Sequence, residues 1–70
     1  MDIANRIKVA RVARNLKIKD LADKAGLTQD QVGRMERGKA KPRIEYLQRL
    51  CDALDLSLAD LFSDDFTVTL

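Results

Sequence analysis

Apolar positions recur along most of this chain at helical spacing. Two stripes, Ile3-Ile7-Ala10-Arg14 and Ala4-Ile7-Arg11, follow the i, i+3, i+4 rhythm and predict a first helix over residues 2–14. Asp2 is placed to cap its start by accepting a backbone N–H, and Asn15, which tolerates the left-handed conformation, marks its end. Ile18, Leu21, Ala22 and Ala25 predict a short second helix over 18–25 that stops at Gly26. Thr28 opens a third. With Gln31 three positions on it forms a capping box, and Leu27 just before it can staple onto Val32. That helix runs from Gln29 to Arg37 and is closed by Gly38, which is free to take the positive φ of a helix end.

A basic loop, Gly38-Lys39-Ala40-Lys41-Pro42, comes next, and Pro42 suits the start of a helix but not its continuation. Ile44, Leu47, Leu50, Cys51 and Leu54 then give a fourth helix one apolar side. Ser57 and Asp60 make a second capping box, opening a last short helix that bears Leu58, Leu61 and Phe62. After Ser63 and a solvated Asp64-Asp65 link, the period changes. Phe66-Thr67-Val68-Thr69-Leu70 alternates strictly and is rich in β-formers, which predicts a short C-terminal β-strand. The pattern therefore divides into a helical domain over residues 1–63 and a strand segment over 64–70.

Composition narrows the chemistry. Seventy residues with 46% apolar and 34% charged side chains make one small globular domain, helical and economical in its core. With no His and a single Cys, Cys51, the chain has no internal disulfide, no zinc site of Cys/His type and no His-based proton transfer. Cys51 falls on the apolar side of the fourth helix, as an inert buried thiol does. No nucleophile–base pair or metal set exists, so neither catalytic residues nor cofactors are predicted, and the chain is read as a non-enzyme. No apolar run approaches the roughly 18 residues of a membrane span, which predicts a soluble protein of the reducing cytoplasm. Charge changes the picture more. All 13 Lys and Arg lie within residues 1–49 against six acids, whereas residues 50–70 hold five Asp and no base. A basic front of this kind suits a polyanionic partner.

The second helix, the tight turn at Gly26-Leu27 and the third helix together make a helix-turn-helix over about residues 18–37. A B-form major groove is about 12 Å wide and admits one α-helix. That helix must be short, protrude from the body and be braced by a second helix across the phosphate backbone. Here the third helix confines its apolar residues to Val32 and Met35, leaving Gln29, Asp30, Gly33, Arg34 and Arg37 facing outward. Gly33 costs about 1 kcal/mol against Ala in a helix interior. Either it allows close approach to a groove or it is tolerated drift.

The run Leu21-Ala22-Asp23-Lys24-Ala25-Gly26-Leu27-Thr28-Gln29, followed by Met35-Glu36-Arg37-Gly38-Lys39, by Pro42 and by the Ser57-Leu58-Ala59-Asp60-Leu61-Phe62 ending, resembles the Cro/CI-type (XRE) helix-turn-helix family. The resemblance spans roughly residues 3–62. It implies the all-α, five-helix, lambda repressor-like fold, with the third helix in the major groove. It also implies roles, position by position. Gln29, Asp30 and Arg34 match the positions that reach base edges: Arg34 onto guanine O6 and N7, Gln29 onto adenine, Asp30 accepting from cytosine N4. Thr28, Arg37, Lys39, Lys41 and Arg43 match or adjoin positions that hold phosphates, aided by backbone donors at the third helix's N-terminus. Arg11 and Glu36 match a pair that bridges helices one and three in relatives.

The chain departs from the family in two places. Ser or Thr followed by a phosphate-holding Gln commonly opens the second helix; Lys17 and Ile18 stand here, so Lys17 or Lys19 supplies charge in place of the amide. Val9 and Val12 occupy positions usually polar. Together with Phe66, Val68 and Leu70 on one side of the predicted strand, they point to a covered surface: either two copies pair their strands across a two-fold axis, or the tail is a frayed terminus. The whole predicts a complete small transcriptional regulator, acting as a repressor and homodimer on a pseudo-palindromic operator in double-stranded DNA, with no membrane partner. An antitoxin with its own protein partner, or a restriction–modification controller, would bind DNA in the same way. A protein-interaction adaptor on the same helices would instead need an apolar outer side on the third helix.

Overall fold

The structure, a computed structural model, describes residues 2–39, 41 and 43–64. Five helices follow one another: α1 (Ile3–Ala13), α2 (Ile18–Ala25), α3 (Gln29–Glu36), α4 (Ile44–Ala53) and α5 (Leu58–Phe62). Their ends fall within a residue or so of the pattern-based ranges, as helix ends commonly do. Asp2 caps α1 by accepting from the Asn5 N–H at 3.1 Å, with Asp2 itself outside the helix. Arg14 and Arg37, the last helical residues in the pattern, are the closing residues of α1 and α3. The strand predicted for residues 66–70, with Phe66, Val68 and Leu70, lies outside the described residues, as does Pro42.

Four helices stop in the same way. A residue in the left-handed conformation follows the last turn: Asn15 (φ 56°), Gly26 (70°), Gly38 (69°) and Asp55 (61°). The next residue then donates its N–H five positions back. Leu16 reaches the Arg11 carbonyl at 3.2 Å; Leu27, Lys39 and Leu56 reach those of Ala22, Arg34 and Cys51 at 2.9 Å each. This closes the orphan carbonyls of the last turn. Three of the four residues after the stop are leucines packed on the core. The fourth is Lys39, which is exposed.

The core draws on every helix: Ile7 and Ala10 of α1, Leu21, Ala22 and Ala25 of α2, Val32 and Met35 of α3, Leu47, Leu50 and Cys51 of α4, and Leu61 of α5, with Leu54 beside them. α2 packs against α3 and α4, α1 against α3 and α5, and α4 against α5. α5 is held from outside as well: the Arg6 guanidinium donates to the carbonyls of Leu61 (2.8 Å) and Ser63, so the last turn's acceptors are not left bare. No helix among the described residues is long and apolar enough to cross a membrane.

Candidate nucleic-acid interface

The start of α3 is fixed by reciprocal hydrogen bonds. Thr28 Oγ1 accepts from the Gln31 N–H at 3.1 Å, and Gln31 Oε1 accepts from the Thr28 N–H at 2.9 Å. The Thr28 hydroxyl proton is still available to a further acceptor. The amides of Gln29 and Asp30 have no preceding helical carbonyl to bond, so they are ready donors for an anion at this end. Before the cap, Gly26 takes φ 70°, a conformation that would strain any residue with a Cβ, and Arg49 of α4 donates to its carbonyl at 3.4 Å. The turn that aims α3 is thus tied to α4 as well as to α2.

Val32 and Met35 anchor one side of α3 in the core, and the opposite side presents Gln29, Asp30, Arg34 and Arg37 to solvent. Arg34 and Asp30 form a loose i, i+4 ion pair at 3.9 Å, both side chains being more than half exposed. Water screens a pair of this kind, so its net worth is a few tenths of a kcal/mol and it yields readily to another partner. Arg43 approaches Glu45 at 3.9 Å and lies 6.0 Å from the centre of the Tyr46 ring. Asp30, Arg34, Lys41, Arg43 and Tyr46 line an open depression between α3 and the start of α4. Lys39 is exposed just beyond α3.

Lys17 and Lys19 are exposed at the start of α2. Lys17 occupies the cap position there without an oxygen to offer, and the Asp20 carboxylate makes only the returning half of the box by accepting from the Lys17 N–H at 2.9 Å. The Lys17 ammonium is therefore not used by the cap.

Gly33 corrects the sequence reading. The pattern put it among the outward-facing residues, but it is buried. Long side chains on a helix lean back onto the preceding turn, and Arg37 does so here. Its guanidinium covers Gly33, and a Cβ built on that glycine would stand 3.1 Å from Arg37 Nη1.

A second set of arginines is consumed by the fold. Arg11 meets Glu36 through two parallel contacts, Nε to Oε2 at 2.7 Å and Nη2 to Oε1 at 3.0 Å, and donates from Nη1 to the Leu16 carbonyl at 2.7 Å. The Glu36 side chain is only 4% exposed and that of Arg11 12%, so this fork joins α1, α3 and the turn after α1. Arg6 and Arg49 do similar work at α5 and at the turn before α3. No sequence signal marked either of them, because their acceptors are backbone carbonyls brought near only by folding. Cys51 is buried, and burial, with the carboxylates of Asp52 and Asp60 adding to it, pushes its thiol above the ordinary value of 9.0. It stays protonated and unreactive at neutral pH.

The sequence pattern of the helix-turn-helix family HTH_3 matches residues 7–61. The chain is 31% identical over 61 residues to the HTH-type transcriptional regulator DdrOP3 of Deinococcus deserti, an alignment covering 87% of this chain and 47% of that protein. It is also similar to the crystal structure of an HTH_3 family transcriptional regulator from Vibrio cholerae, with a TM-score of 0.84 and 31% identity over 91% of this chain and 36% of that one. The chain spans about half the length of the curated relative and about a third of the solved one.

Proposed function

This chain belongs to the HTH_3 helix-turn-helix family, and from that premise we propose that it is a sequence-specific regulator of transcription that binds double-stranded DNA through α3. The carrying observation is the outer side of α3. Gln29, Asp30 and Arg34 stand exposed on a helix anchored from behind, with no internal side-chain bond among the described residues stronger than the loose Asp30–Arg34 contact. Amide, carboxylate and guanidinium groups so arranged match the donors and acceptors of base edges. Thr28, Lys39, Lys41 and Arg43 border that side and take phosphates, with Lys17 and Lys19 doing so from α2. An adaptor would carry large apolar groups where these polar ones stand.

The chain acts as a repressor and as a homodimer on a pseudo-palindromic operator, its two recognition helices about 34 Å apart. In that role it works in the cytoplasm, at the nucleoid. Val9 and Val12, 44% and 55% exposed on α1, supply apolar surface for a covered face. The pairing of Phe66, Val68 and Leu70 between copies is part of the same proposal, and a chain ending at Ser63 that dimerises as before removes it.

Selection of preferred sites from random duplexes, followed by a salt titration on the selected operator, tests the reading. The expected result is a two-fold-related consensus, with log affinity falling by about 0.9 per neutralised phosphate for each unit of log salt. Failure of the purified chain to prefer any duplex at low ionic strength rejects it.

A further inference from the structure

We propose that Arg37 reads a base, not a phosphate: the missing side chain at Gly33 seats its guanidinium on the groove-facing side of α3, where it reads a guanine. The inference rests on the DNA-binding role proposed above and assigns one more residue to base recognition.

On a helix of 3.6 residues per turn, Gln29, Gly33 and Arg37 fall on one row, with Asp30 and Arg34 on the next. Gly33 is the gap in that row, and the Arg37 guanidinium fills it. Arg37 Nη1 stands 3.1 Å from where a Cβ at Gly33 would be, with Cζ and Nη2 at 3.8 Å. The charged head is therefore drawn back about one turn from its own Cα, over Gly33 in the middle of α3. A residue meant for the sugar–phosphate rail at the end of the helix would reach outward instead.

The bonding of the head points the same way. Arg11 and Arg49 spend guanidinium donors on internal acceptors, and Arg34 has Asp30 at 3.9 Å. Among the described residues, no carboxylate or carbonyl holds the Arg37 guanidinium. It is a planar fork of donors, held in place by packing alone and presented outward. The acceptor pair that fits such a fork in a major groove is guanine O6 and N7. Glycine in mid-helix, otherwise a cost, then has a use: a Cβ there presses the head outward by a few tenths of an ångström, and a bulky side chain would take its place.

The test compares the full chain with Arg37→Ala and Gly33→Ala on the selected operator and on duplexes carrying each single base-pair change. Arg37→Ala is expected to lose about five- to a hundred-fold of the discrimination at one G·C pair, and Gly33→Ala, which only presses the head outward, a smaller part at the same pair. Their affinity for random duplex and their salt slope stay close to those of the parent. Gly33→Ala improves helix propensity, and its circular dichroism and melting temperature are expected to show a folded chain, so loss of discrimination there is not loss of structure. If Arg37→Ala weakens every duplex alike and lowers the salt slope by about 0.9, Arg37 holds a phosphate and the inference is overturned. Full parental discrimination by Arg37→Ala overturns it too. Either outcome leaves DNA binding intact; a parent chain that prefers no duplex overturns both readings together.

Discussion

The junction of α1 with α3 and the outer side of α3 use arginine for opposite ends. At the junction, Arg11 is a bidentate partner of Glu36 and a donor to the Leu16 carbonyl, and almost none of the group meets water. On the outer side, Arg34 is more than half exposed and, among the described residues, its only internal partner is Asp30 at 3.9 Å. The excess of positive charge in residues 1–49 is therefore not a single basic surface. Part of it, including Arg6 and Arg11, is neutralised or bonded inside the fold; Arg37, Lys39 and Lys41 on and just after α3 stay exposed, as do Lys17 and Lys19 at the start of α2. Charge counted along a sequence measures what is available, and only packing decides what is presented.

The sharpest way to break this contrast is Arg11→Ala. It leaves the Glu36 carboxylate buried and unpaired, which costs about 3–5 kcal/mol. The urea midpoint is expected to fall accordingly with little change in the denaturant slope. Replacing both partners by apolar residues of similar size, as in Arg11→Met with Glu36→Leu, is expected to restore much of the loss, because no orphan charge remains. An Arg11→Ala chain as stable as its parent would mean that the junction is no more structural than the outer side.

Arg34→Ala probes the other half. Stability is expected to stay within about 0.5 kcal/mol of the parent, since an exposed pair is all that is removed. Operator discrimination at one base pair is expected to drop by about 1–3 kcal/mol, read from binding to single-substituted duplexes. Equal losses on specific and random duplexes would refute base reading by Arg34. Thr28→Ala sits between the two regions. Loss of the cap costs about 1 kcal/mol of stability, visible as a lower melting temperature.

Lys39→Ala is expected to leave stability nearly unchanged and to reduce affinity for all duplexes alike, with a salt slope lower by about 0.9. The smallest effect concerns Cys51, a buried core group near the carboxylates of Asp52 and Asp60. Its folded-state thiol is held above 9.0. The unfolded chain therefore loses that proton first as the solution becomes alkaline. The stabilisation is complete below about pH 9 and is lost as pH rises from there towards the folded-state value. A Cys51→Ala chain is expected to lack that alkaline component in melts taken across the same range.

All five helices were legible from local rules. Capping boxes at Thr28 and Ser57 need only residues three positions apart, and both are formed. Asn15, Gly26 and Gly38 announced their turns because few residues tolerate positive φ; Asp55, which makes the same turn after α4, gave no comparable signal. The outward set on α3 was legible from helical periodicity except at Gly33, whose burial depends on a side chain four residues later.

Local order, then, was determined by the sequence alone: where each helix starts and stops, which side is apolar, and which polar residues α3 carries. Those features follow from hydrogen bonds and steric limits that act within about five residues. The tertiary structure alone decided which cations are free. Arg6 and Arg49 find their acceptors across the fold, in carbonyls distant along the chain, and a partner of that kind has no periodicity to betray it; the Arg11–Glu36 pair was foreseen only through the family resemblance.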